Sequence, residues 1–218
     1  MTGPRWARVG VVADSHVGEY RDALPGGVAA ALEGCDVIVH AGDVSVAAAL
    51  DPLREIAPVV AVAGDHDRGD AARLPRMARL DVAGCRIGVM HGSVGRPLDT
   101  AITVAQCLAP VALPWRRVVH RGLRRRMPSV DVIVYGHWHA VTSTREDGVL
   151  MVSPGALCPL GSLEGDGRVR RSPAGLADLA VRRFRHVNGI RRGRGHVAIL
   201  DVTPDGPRVS HVAVPVTP

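Results

Sequence analysis

The feature that most constrains this chain is an event that recurs along it. An apolar run ends, and an aspartate or histidine follows at once. Arg8-Val9-Gly10-Val11-Val12-Ala13 leads into Asp14-Ser15-His16, and Asp36-Val37-Ile38-Val39-His40 into Ala41-Gly42-Asp43. Pro58 to Ala63 leads into Gly64-Asp65-His66-Asp67. Leu80 to Met90 reads as a hairpin delivering His91-Gly92, and Val132-Ile133-Val134-Tyr135 delivers Gly136-His137-Trp138-His139. Short unbroken runs of this kind are strands buried on both faces, which requires a sheet covered by helices. In α/β layers, ligands collect beyond the carboxyl ends of the strands. Chance can place one histidine after one strand. Asp or His after five strands points to one shared rim.

The residue types at that rim point to a metal. In a locally extended stretch, His137 and His139 face one point with Trp138 turned aside, and Asp14 and His16 share a target in the same way. His40 still lies within its strand and reads as a packed or supporting histidine. Asp67, on its own, serves equally well as a cap for the following turn. Imidazole and carboxylate without thiolate suit Mn, Fe, Zn, Ni or Co rather than a structural cysteine-zinc site. The candidates are too many for one ion. Two divalent ions sharing one bridging carboxylate fit better; such pairs lie ~3.5–4 Å apart and clamp an in-line phosphoryl displacement.

Helical patterns fill the intervals. Glu19 to Leu32 is expected to be helical but interrupted by Pro25-Gly26-Gly27, and Val46 to Ile56 is a second helix. Ser93 to Ser129 is an insertion holding helices at Leu98 to Leu108 and at Trp115 to Arg126. The latter carries six arginines, read as a lid over an anionic ligand or as a solvated helix face. Val149 to Val152 is expected to form a hairpin with the strand before it. Gly161 to Gly195 turns to Gly and Arg, an excursion with helix at Pro173 to Phe184. His196 to Val202 and Arg208 to Val214 close the chain around a Pro204-Asp205-Gly206 turn. No repeat or linker divides the 218 residues, so one domain is expected, with insertions at about 93–129 and 161–195.

Charge narrows the partners. The net charge is +6 and the pI about 10.0, and every one of the 27 basic residues is arginine. That favours anions, with phosphorylated compounds and nucleic acid first. Single-strand binders interleave basic residues with aromatic platforms, and the basic stretches here hold only Trp115 and Phe184, so nucleic acid is not favoured. The four cysteines form no Cys-x-x-Cys and read as reduced thiols of a cytoplasmic protein. No secretory segment and no apolar run of bilayer length are present in the sequence.

The ordered set Asp14-x-His16, Gly42-Asp43, Gly64-Asp65-His66-Asp67, His91 and Gly136-His137-x-His139 resembles the calcineurin-like metallophosphoesterases. In length the chain is most similar to their small single-domain bacterial phosphodiesterases. The resemblance covers Val9 to Ala156 and the closing strands. It implies an α/β fold, a four-layer αββα sandwich of mixed sheets flanked by helices. It implies that Asp14, His16 and His139 hold one ion, that Asp43 bridges, and that His91 and His137 hold the second with Asp65 as its further ligand. The implied reaction is attack of a metal-bridging hydroxide on phosphorus. In that scheme His66 protonates the leaving alkoxide or holds the phosphate, and Asp67 orients it. The implied partner is a phosphorylated small molecule, nucleotides included, whether phosphodiester, cyclic nucleotide or phosphomonoester.

Two positions depart from the family pattern. Asp65 stands where asparagine is usual, adding a negative charge and removing an amide donor, so tighter metal retention and weaker activation of phosphate are expected. Ser153-Pro154-Gly155-Ala156 replaces the usual Asn-Pro-Gly-Ser. Two other readings fit the same residues. One is a catalytically weak or inactive protein-binding scaffold, the role the eukaryotic retromer subunit plays with this fold. The other is a nuclease.

Overall fold

The computed structural model describes residues 6–109, 113–158, 183–190 and 193–216. The chain begins with β1 (Ala7–Val12), then α1 (Gly27–Leu32), β2 (Val37–His40), α2 (Asp51–Arg54) and β3 (Val59–Ala61). A hairpin of β4 (Met77–Val82) and β5 (Cys85–Met90) follows, then α3 (Arg96–Leu108) and α4 (Trp115–Arg126). The rest is β6 (Val132–Val134), β7 (Val141–Glu146), β8 (Val149–Pro154), β9 (Arg194–Thr203) and β10 (Gly206–Pro215).

The strands form two five-stranded sheets, ordered β10-β9-β1-β2-β3 and β4-β5-β6-β8-β7. In the first, β1, β2 and β3 run parallel; in the second, β5, β6 and β8 do. Antiparallel partners extend both, so the sheets are mixed. The strand period of two then sorts the side chains. Val9, Val11 and Val39 meet Ile87, Val89, Val132, Val134 and Val152 between the sheets, all fully buried. Each such side chain contributes roughly 1.5–3 kcal/mol by leaving water. The opposite face of the first sheet is covered by Val28 and Leu32 of α1 and Leu53 of α2. That of the second sheet is covered by Ile102 of α3 and by Trp115, Val119 and Leu123 of α4. The result is the four-layer αββα sandwich.

Several local expectations are corrected. Helix is confined to Gly27–Leu32; the segment from Glu19 folds back instead, through a bridge between Val17 and Arg21, and helix begins only beyond Pro25. Val46 to Ile56 splits into a 3-10 turn, Ala47–Leu50, and the short α2. The hairpin partner of Val149 to Val152 is β7; β6 pairs with β8 in parallel, because the two are separated by β7 and its loops. Strand β4 starts at Met77, inside a stretch whose arginines hid its period. The helix expected at Pro173 to Phe184 lies mostly outside the described residues; 183–188 are helical.

The basic helix is a packed layer rather than a lid. Under it His120 is fully buried, its Nδ1 2.7 Å from Glu146 Oε1 and its Nε2 2.7 Å from the Tyr135 hydroxyl. Arg124 pairs with Asp147, and Arg117, Arg121 and Arg125 face solvent.

Candidate metal centre

Because three strands of each sheet run the same way, their carboxyl ends open onto one edge of the sandwich. Within each sheet the loops leaving them hydrogen-bond one another. Asp14 N–H donates to Gly42 O at 3.0 Å, His16 N–H to Asp43 O at 3.0 Å, and Gly136 N–H to His91 O at 2.8 Å. His137 N–H reaches over to the Asp14 carboxylate at 3.0 Å.

The backbone there is forced. Asp14, His16, Asp43, His137 and His139 all sit at positive φ, between 49° and 71°. Side-chain-bearing residues in this left-handed region cost on the order of 1 kcal/mol or more each and gather at functional sites. The extended geometry expected for His137 and His139 is therefore replaced by two tight reversals, and the rings part company. His139 joins Asp14 and His16; His137 joins Asp65 and His91.

Within each of these triads, one ligand atom per residue lies within 4.8 Å of the others. Asp43 sits between them. Its Oδ2 is 3.2 Å from His91 Nε2 and 3.6 Å from His16 Nε2, one ring from each triad. Asp14, Asp43 and His91 form a third group by the same criterion, so the two halves are continuous. Asp65 Oδ2 lies 3.4 Å from His137 Nδ1 and 3.9 Å from His91 Nε2 on the exposed side.

The chemistry of this donor set fits cations. Asp14 is wholly buried, and burial raises its pKa well above the usual carboxylate value. Burial also works against a charge on Asp43, yet the close approach of the His91 and His16 rings overcomes it and holds that carboxyl far below its ordinary pKa. For His91 the balance goes upward, to about 9, as the Asp43 carboxylate outweighs burial. The site thus calls for positive charge among its carboxylates. The imidazoles are prepared for it: His91 Nδ1–H donates to Ala41 O at 2.9 Å, which leaves Nε2 turned to the carboxylates with no well-aligned hydrogen bond. His139 turns its Nε2 toward Asp14 Oδ1, 3.6 Å away. A carbonyl on the far nitrogen is how metal-binding histidines are commonly oriented.

His40 is a supporting residue. It is fully buried, burial lowers its pKa to about 3, and its Nε2 lies 3.0 Å from Ser15 Oγ. His66 is exposed at the mouth, with its ring 5.0 Å from that of His16. The carboxylate on its Nδ1 is Glu19, at 3.2 Å, which also takes Ser45 Oγ and Arg68. Asp67 instead accepts Ser45 N–H at 2.7 Å and Gly64 N–H at 2.6 Å, closing the loop on itself. Ser153 is fully buried, and its carbonyl lies 3.1 Å from His211 Nε2.

Two carboxylates at the site have no signature in the sequence. Glu19 looks like the first turn of a helix. Asp99 occupies the first turn of α3 and reads as an ordinary helix start, yet its Oδ2 accepts Ser93 Oγ at 2.6 Å and lies 3.5 Å from His137 Nε2. Its Oδ1 accepts Val94 N–H at 3.1 Å. Asp99 therefore holds the face of His137 opposite the triad. Replacing a carboxylate that orients a metal-binding histidine costs roughly 10–100-fold in affinity. Asp99→Asn is expected to weaken metal binding at the group of Asp65, His91 and His137 by that factor, measured by metal titration followed by elemental analysis.

A family model for the calcineurin-like phosphoesterase superfamily domain matches residues 8–168. A probable metallophosphoesterase of Methanocaldococcus jannaschii is 31% identical over 159 residues, covering 71% of this chain and 72% of the relative. Among solved structures, vacuolar protein sorting 29 of Cryptosporidium parvum superposes with a TM-score of 0.59 at 15% identity, over 97% of this chain and 100% of that one. A novel archaeal phosphodiesterase superposes with a TM-score of 0.55 at 16% identity, over 95% and 99%. At these identities the two structures share the fold.

Proposed function

Because this chain belongs to the calcineurin-like phosphoesterase superfamily, we propose that it is a two-ion phosphodiesterase acting on a phosphorylated small molecule. The observation that supports this reading is the pair of His/carboxylate triads on either side of Asp43. Divalent ions held there supply Lewis-acid charge for the phosphoryl oxygens and a water acidic enough to serve as nucleophile at neutral pH. Asp14, His16 and His139 would hold one, His91, His137 and Asp65 the other, and Asp43, ionised, would face both.

The chain's own groups handle the proton. His66 stands at the mouth, free to meet the leaving oxygen, with Glu19 on its Nδ1. In that geometry Glu19 accepts the Nδ1–H and fixes the ring angle, so that a doubly protonated ring would give its Nε2 proton to the departing alkoxide and be left neutral, with Nδ1–H still on Glu19. Asp43 Oδ1 accepts the His66 backbone N–H at 2.8 Å, tying the donor's loop to the residue between the triads.

The scaffold reading draws on the likeness to vacuolar protein sorting 29. It does not account for buried, pre-oriented imidazoles and five strained ligand positions, which cost stability and serve an interaction surface in no evident way. A panel of aryl and cyclic phosphodiesters and phosphomonoesters, with Mn, Ni, Zn and Mg supplied in turn, tests the proposal. Metal-dependent turnover of diesters is expected; no turnover with any ion would leave the scaffold. In the same assay Asp65→Asn is expected to raise turnover several-fold and loosen metal retention, since it removes a carboxylate charge beside the phosphate. Unchanged metal content and turnover would remove Asp65 from the site.

A further inference from the structure

A cleft of about 320 Å³ opens beside the second triad, and Asp65 and His91 form part of its wall. The rest of the wall has two kinds of side chain. Met77, 47% exposed, and Val94 give it an apolar surface. Arg76 and Arg126 give it two guanidinium groups.

Some arginines of the chain are neutralised by a carboxylate, and these two are not. Arg8, Arg54, Arg68, Arg73, Arg86, Arg124 and Arg208 each pair with a carboxylate. Among the described residues, Arg76 and Arg126 meet none. Each is instead braced by a main-chain carbonyl of the site's own loops: Arg76 donates to Gly64 O at 3.0 Å, and Arg126 donates to Ser93 O. A guanidinium braced on a neutral acceptor keeps its charge uncompensated and its remaining N–H groups available for a phosphate. The same half of the site carries Asp65, whose negative charge works against an anionic substrate, and two fixed cations beside it offset that repulsion.

We infer that this cleft is a subsite for a second phosphate group, so that the substrate is an organic phosphate ester bearing another phosphate on its body. The inference rests on the proposed reaction site, since the cleft lies against the triad that would hold the ester being cleaved. The apolar wall takes the flat or aliphatic body between the two phosphates, and Arg76 and Arg126 take the distal one.

Calorimetric titration of the Mn-loaded protein with thymidine 3′,5′-bisphosphate and with thymidine 5′-monophosphate tests this without requiring turnover. The bisphosphate is expected to bind at least about tenfold more tightly, the scale of one or two charge-assisted bonds. In Arg76→Ala/Arg126→Ala that ratio is expected to fall to near one, with metal content unchanged. Equal affinities in the native protein would overturn the subsite, as would a preference that survives the double substitution. Inactivity on every ester would count against the hydrolase reading alone, because the binding ratio is read independently of it.

Discussion

Asp43→Asn is expected to lower metal-dependent diester hydrolysis on the order of 10³-fold or more, the scale on which removing a main electrostatic element of a site is felt. The substitution keeps the shape and can keep the acceptor for His66 N–H, so the fold should survive. What it removes is a negative charge held ionised in a buried place, flanked by His91 and His16 from the two triads. An amide turned toward those imidazoles cannot join two cations. Elemental analysis should therefore show fewer than two ions per chain, with the circular dichroism spectrum intact. Native turnover in this variant would mean that Asp43 does not lie between two working ions.

The second large effect is expected at a residue with no side chain. A Cβ built on Gly64 would stand 2.2 Å from Asp43 Oδ1 and 2.3 Å from the Asp43 backbone nitrogen. Neither atom can retreat: the carboxylate is fixed by His66 N–H, and the Asp43 backbone is pinned because its carbonyl accepts His16 N–H. Gly64→Ala must then push the Gly64–Asp67 loop off the rim, taking Asp65 and His66 with it. Overpacking of this kind costs about 1–3 kcal/mol, and at roughly 2–4 °C per kcal/mol for a chain of this size the melting temperature should fall by several degrees. Loss of one ion and of turnover should accompany it. Gly69→Ala, where a Cβ meets nothing within 4 Å, controls for a generic loss of glycine, although its positive φ adds a small strain of its own. Full activity in Gly64→Ala would show that the close approach of these loops is dispensable.

Much of this was legible in the sequence, and for a physical reason. Strands buried on both faces must be written as continuous Val, Ile and Ala, so β1, β2, β5 and β6 and the residues that follow them stand out. The candidate ligands are the first polar residues after each run, which is why Asp14, Asp43, His91 and His137 could be found without coordinates. The conformation of the ligand loops was not legible. His137 and His139 look like a pair one residue apart, and only their positive φ values send the rings to different triads. Asp99 and Glu19 were hidden because an acidic residue near a helix start is common, and their partners are 38 and 47 residues away. Adjacency in the sequence points to Asp67 as the group that orients His66; in the structure Asp67 closes its own loop, and Glu19 stands on the ring. Strand β4 was foreshortened for a related reason: half-buried edge strands carry charged residues that blur the alternation.

The central claim is that the strand-end loops of both sheets hold two cations around Asp43. Anomalous scattering from crystals grown with Mn measures this directly. Two peaks about 3.5–4 Å apart are expected, one among Asp14, His16 and His139 and the other among Asp65, His91 and His137, with Asp43 between them. A single peak, or peaks away from these residues, would contradict it.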